Sequence, residues 1–197
     1  NLFMRFYEFD RGQILIDGQD IKDYSQEALR KSIGLVLQEP FLYHGTIASN
    51  IRMYHEELTD EEIRQAAAFV DVADFIESLP GGYDHPVTER GSTLSTGQRQ
   101  LLTFARTIAA QPKILILDEA TANIDQETEE MIQNSLKKMR QGRTTIAIAH
   151  RLSTIQDADC IYVLDKGKII ESGNHDQLIA LGGTYKKMYD LQTGMMK

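Results

Sequence analysis

The 197 residues include 29 acidic and 21 basic side chains, a formal net charge of −8, and 42% of them are hydrophobic. This is the composition of one globular domain with room for a single large core. It shows none of the basic excess expected of a nucleic-acid binder. No apolar run is long enough to cross a bilayer and Asn1 opens no signal peptide, so any service to a membrane runs through a partner or another part of the polypeptide.

Along the chain, strand and helix signals alternate. Gly12–Gly18 reads as a hairpin, and Ile33–Leu37 as a short buried strand that delivers Gln38 at its end. Thr59 is placed to cap a helix and Glu62, three residues on, to complete a capping box. Helical patterning runs to about Val70, resumes from Asp71 to Leu79, and is stopped by Pro80-Gly81-Gly82. Ser95 is a second helix cap, ahead of Leu101–Ala110, which is apolar at helical spacing. Ile114–Leu117, Thr144–Ala149 and Cys160–Leu164 read as buried strands, and Val163–Gly173 as a hairpin turning at Asp165-Lys166-Gly167. Cys160, the only cysteine, therefore reads as a buried thiol; one thiol makes neither an internal disulfide nor a cysteine cluster, as in a reducing compartment. The alternation predicts an α/β fold with a mainly parallel sheet and a helical insertion at about 40–112.

Four places carry chemistry. Ile114–Leu117 ends in Asp118-Glu119, two carboxylates at the edge where open α/β sheets bind ligands. There Asp118 would hold Mg²⁺ and Glu119 would polarise a water; a solvated Asp-Glu turn would give the same pattern. Leu94-Ser95-Thr96-Gly97-Gln98 opens a helix whose free N–H groups and positive dipole end suit an anion; a plain capped helix would look alike. Thr144–Ala149 delivers His150, which a solvated histidine would match equally. Gln38 could reach a metal-bound water or be a loop residue.

In this order and spacing the four motifs resemble the nucleotide-binding domain of ABC transporters over essentially the whole chain. Gln38 matches that family's Q-loop, Leu94–Gln98 its signature, and Ile114–Glu119 its Walker B strand with the catalytic glutamate. Ala120–Asp125 matches the D-loop and His150 the switch histidine. Pro40–Ile51 and Thr88-Glu89-Arg90-Gly91-Ser92 resemble exporter stretches that face transmembrane domains; polar surface loops with incidental aromatics would look alike. The resemblance implies a P-loop NTPase (RecA-like) core with a mainly parallel sheet, a residual antiparallel β subdomain and an α-helical subdomain. The whole chain, 1–197, would be one such domain, with 1–39 and 113–197 in the α/β core and about 40–112 in the helical part. It further implies ATP and Mg²⁺ as cofactors and a head-to-tail dimer at the cytoplasmic face of the cell membrane. Glu119 and His150 would be catalytic and Asp118 and Gln38 would lie at the metal. Ser95, Thr96, Gly97, Gln98 and Asp125 would face nucleotide or the dimer seam.

Two departures stand out. No G-x-x-x-x-G-K-[ST] stretch occurs in the 197 residues. The lone Gly167-Lys168 pair fails the pattern, and Asn1–Glu8 resembles the tail of the helix that follows such a loop. The chain is thus expected to be an N-terminally truncated domain, inactive by itself. Thr96 stands where the signature usually has Gly, which points to a heterodimer or to a tolerated variant. The rivals are an ABC-type ATPase of DNA repair or chromosome maintenance, disfavoured by the missing coiled-coil and basic features, and a non-catalytic ABC-like module.

Overall fold

The first residues close like the end of a helix. Arg5 has φ 49°, its N–H donates to Leu2 O at 3.0 Å and the N–H of Phe6 donates to Asn1 O at 3.2 Å, the paired bonds that finish a helical turn. The computed structural model describes residues 1–118, 126–149 and 151–194, with the backbone alone for Gln126, Glu127 and Ser153. Two compact units divide the chain, residues 1–146 and 147–197.

In the larger unit, β1 (Leu15–Ile16) and β2 (Gln19–Asp20) form the first hairpin. Its turn falls on Asp17 and Gly18, both at positive φ (50° and 84°), the twist that a two-residue hairpin favours. The hairpin expected at Gly12–Gly18 thus centres a few residues later. Helix α1 (Gln26–Ser32) starts where the Ser25 hydroxyl accepts from the Ala28 N–H, and it leads straight into β3 (Ile33–Val36). Strand β4 (Gly45–Thr46) precedes α2 (Ile47–Arg52). Next come α3 (Asp60–Phe69), opened by the expected Thr59–Glu62 capping box, and α4 (Ala73–Ser78). The two N–H and O–H donors of Thr59 hold the Glu62 carboxyl below its ordinary pKa. Gly81 and Gly82, at φ 87° and 55°, end this helical run as their sequence implies.

Strand β5 (Pro86–Val87) pairs antiparallel with β4, and α5 (Thr96–Ala109) follows. Strand β6 (Ile114–Asp118) then lies parallel to β3, in register from Ile33↔Ile114 to Val36↔Leu117. After α6 (Gln126–Arg140) comes β7 (Thr144–Ile148), and the strand order is β3-β6-β7. The core is built on α5: Leu101, Leu102, Phe104 and Ala105 are at most 3% exposed, and they share one apolar cluster with Ile47, Ile63, Ile76 and Leu115. Ser135 of α6, fully buried, donates to Val70 O at 2.9 Å. Lys138 pairs with Asp71 at 2.5 Å, a second tie from α6 to the end of α3.

The smaller unit holds β8 (Ile161–Asp165) and β9 (Lys168–Gly173), the expected antiparallel hairpin, with Lys166 and Gly167 at φ 47° and 76°. Helices α7 (His175–Leu181) and α8 (Thr184–Thr193) cover one face of it, around Leu152, Ile161, Val163, Leu178 and Tyr185. The Glu171 carboxylate accepts from the first N–H groups of α8, at Thr184 and Tyr185. Those bonds keep its pKa below the ordinary value. Two strand expectations need correction here. Cys160 is exposed, not a buried thiol. It precedes β8, whose alternation buries Ile161 and Val163 and turns Tyr162 outward, so the one-sided hairpin sends Cys160 outward as well. Thr144–Ala149, read as a buried strand, is half exposed as β7, with Ile148 52% exposed.

One packing contact is tight enough to test. A Cβ at Gly34 would sit 2.6 Å from Thr107 Cγ2 and 2.8 Å from Pro112 Cγ, so Gly34→Ala overpacks the β3–α5 seam. It should lower the stability of the chain by about 1–3 kcal/mol, read as a lower urea midpoint at unchanged m; an unshifted midpoint would show that the seam yields freely.

Candidate functional site

Residues 33–38 and 114–118 form the first half of the site. The parallel pairing carries the chain of β3 and that of β6 to the same carboxyl edge, so Gln38, two residues past β3, and Asp118, the last residue of β6, leave the sheet on one side. Gln38 is exposed and Asp118 partly buried. A carboxylate and an amide oxygen leaving the same edge, both hard donors, would suit Mg²⁺, which takes one or two carboxylates and completes its shell with phosphate and water. Among the described residues no group of three or more His, Cys, Asp or Glu side chains gathers as a self-sufficient metal site. Glu119, Asp125, the rest of the Ala120–Asp125 stretch, and His150 lie outside the described residues.

The second half is the start of α5. Ser95 caps it as expected: its hydroxyl accepts from the Gln98 N–H at 3.1 Å, and the Gln98 side chain accepts from the Ser95 N–H at 2.9 Å. Helix geometry leaves the N–H groups of Thr96 and Gly97 without an acceptor inside the helix, on the dipole's positive end. Thr96 carries no positive φ, so its β-branch causes no backbone strain there. Its hydroxyl accepts from Arg99 Nη2 at 3.1 Å and is thereby tied to the helix.

The stretches 40–51 and 88–92, separate in sequence, meet in space. The N–H of Arg90 donates to Leu42 O at 3.0 Å, the N–H of Ile47 to His85 O at 3.1 Å, and β4 pairs with β5. A Cβ on Gly91, at φ 62°, would lie 2.9 Å from Leu42 Cδ1, so glycine permits the contact twice over. The joint surface exposes Phe41 and Tyr43, 40% and 45% exposed, packed edge to face at 4.9 Å.

Asn50 and Arg106 hold this surface from behind, and sequence reasoning missed both. Asn50 is 2% exposed. Its amide accepts from the Tyr43 N–H at 2.8 Å and donates to Tyr43 O and Thr46 O at 2.9 and 3.0 Å. Arg106 donates to Asn50 O, Asn50 Oδ1 and Phe41 O at 2.7 to 2.9 Å, with its guanidinium 5.7 Å from the Tyr43 ring centre. Burial lowers the Arg106 pKa, opposed by Tyr43 and Tyr54. The available signal was Asn50 itself, an amide on the Ile47–Ile51 apolar stripe of a helix, where a buried polar group needs partners.

Residues 1–122 match the ABC transporter family. The chain is 74% identical over its whole length to exp8, an ABC transporter ATP-binding protein of Streptococcus pneumoniae, and covers 33% of that protein. It is 54% identical over 98% of its length to YheH, a multidrug resistance ABC transporter ATP-binding/permease protein of Bacillus subtilis, covering 29% of it. Among solved structures, a bacterial Atm1-family ABC exporter with ATP bound superposes with a TM-score of 0.88 at 44% identity, over 97% of this chain and 33% of that one. The chain thus spans about a third of the length of the relatives it matches.

Proposed function

The chain belongs to the ABC transporter family, and on that premise we propose that it is the ATP-hydrolysing part of an exporter, one nucleotide-binding domain working in a head-to-tail dimer at the cytoplasmic face of the cell membrane. The observation that carries the reading is the shared carboxyl edge of β3 and β6, from which Gln38 and Asp118 emerge together. The fold likeness to an exporter with ATP bound supports it, as do the relatives' names, ATP-binding/permease proteins for multidrug and fatty acid transport.

In this reading Asp118 and Gln38 hold Mg²⁺ beside the phosphates, and the ion supplies charge neutralisation of the transferred group. Glu119, next in sequence to Asp118, orients or deprotonates the attacking water, and His150 contacts the γ-phosphate. Ser95, Thr96, Gly97 and Gln98 act across the dimer on a nucleotide held by the partner, through the amide groups and dipole of the α5 start. Asp125 lies at the seam. The surface formed by 40–51 and 88–92 docks on transmembrane domains, whose substrate sets what is exported.

Three measurements test the reading. The 197 residues carry no phosphate-binding loop, and charge-assisted bonds of that kind contribute about 1.5–3 kcal/mol each. This chain by itself should therefore show no heat of binding with millimolar Mg-ATP and no hydrolysis above background; micromolar affinity by calorimetry would mean that the motifs present suffice. In the complete protein, Glu119→Gln should keep ATP binding and cut turnover by about 10²–10⁴, the worth of a general base, and His150→Ala should do likewise. Normal turnover in Glu119→Gln would remove that residue from the chemistry. Finally, an intact Glu119 beside a Thr96 signature suits the subunit of a heterodimer that lends the deviant signature to a weaker site. Mass analysis of the purified transporter should then find a second, different chain, whereas an assembly of this subunit alone with both sites turning over ends the heterodimer proposal.

A further inference from the structure

Two arginines leave α5 seven residues apart, about two helical turns and hence on one face. The first, Arg99, lies beside the Ser95–Gln98 start. Its guanidinium donates to Leu94 O at 2.6 Å and to Thr96 Oγ1 at 3.1 Å, and its stem lies against Gly91, where an added Cβ would meet Arg99 Cδ at 3.1 Å. The second, Arg106, grips Phe41 O and both the carbonyl and amide of Asn50. The exposed surface at 41–46 and 88–92 is therefore fastened at two points to a single rigid rod, and that rod begins with the four residues assigned to the nucleotide.

Among the described residues neither arginine pairs with a carboxylate. Arg106 is held by main-chain and amide oxygens and by the Tyr43 ring. A point charge with rotating donors could not replace it, because three acceptors on two segments must be met in one plane. Asn50 is the adaptor: its amide spans Tyr43 on both its N–H and its C=O and presents its own carbonyl to Arg106. Burying such a set of groups is costly unless all are satisfied, so the arrangement has one geometry, and a displacement of α5 carries the 41–46 segment with it.

We propose that Arg106, through Asn50, is a positioning residue that locks the 41–46 surface to α5, so that nucleotide engagement at Ser95–Gln98 and docking at 41–46 move as one body. This rests on the nucleotide reading of Ser95–Gln98 given above. Arg106 touches neither ligand nor partner in this proposal; it acts through the segment it holds.

Hydrogen exchange in the complete transporter, in phospholipid nanodiscs with and without Mg-AMP-PNP, tests the link. In the parent protein the nucleotide should slow amide exchange at 95–98 and at 41–46 together. Arg106→Lys keeps the charge and loses the planar fork. It should retain the slowing at 95–98 and lose about tenfold of it at 41–46, the scale of one charge-assisted hydrogen bond. Should Arg106→Lys not fold, Asn50→Asp sets a charged oxygen against Tyr43 O and Thr46 O in place of the two amide donors, releasing that segment while Arg106 stays held, and should give the same split. Undiminished slowing at 41–46 in these variants overturns the proposal. So does exchange that quickens equally with and without nucleotide across 41–52 and 96–109, with a lower melting temperature, since that marks a role in stability alone. A parent protein without slowing at 95–98 would bring down the nucleotide reading beneath it.

Discussion

At Gly34 the strand β3 and the helix α5 approach so closely that no side chain fits between them: a Cβ there would meet Thr107, Pro112 and Leu115 at 2.6 to 3.0 Å. This approach sets the height of α5 above the sheet. With α5 lowered onto β3, Leu101, Leu102, Phe104 and Ala105 become the floor on which α2 and α3 pack. The same placement fixes where the helix begins relative to the sheet's carboxyl edge. The position of Ser95–Gln98 over the sheet edge that carries Gln38 and Asp118 thus depends on this glycine contact as well as on the β3–β6 pairing.

The Arg106 side of α5 is organised by polar bonds. Apolar packing is nondirectional and tolerates small slips, which suffices to hold helices together but not to orient a loop. The segment from Phe41 to Thr46 is a loop and a two-residue strand, tied to the core by a single buried side chain, Leu42. The orientation of its backbone comes from Asn50 and Arg106, whose directional donors reach main-chain oxygens. The result leaves Phe41 and Tyr43 outward on a fixed backbone. A preorganised aromatic surface of this kind loses little entropy when a partner covers it.

The smaller unit follows a different economy. Its hairpin has only one covered face, and its small core of five buried residues is supplemented by electrostatic capping, Glu171 closing the start of α8. The one-sided burial explains why Cys160 and Leu164 are exposed although their run is apolar.

The amino-acid sequence by itself determined every feature whose cause is local. Thr59 and Glu62, and Ser95 and Gln98, close their capping boxes with partners three residues away, and Lys166 and Gly167 set their turn by their own φ preferences. The placement of Gln38 just past β3 and of Asp118 at the end of β6 was equally legible, because each lies within a few residues of its strand. What only the tertiary structure decided spans long separations. Arg106 meets Asn50 across 56 positions and Phe41 across 65, and the stretches 40–51 and 88–92 meet where Leu42 receives Arg90 and Gly91. Periodicity assigns a residue to a face but not to a partner, so the burial of Asn50 and the exposure of Cys160 and β7 had to await the packing that covers one face and leaves the other to water.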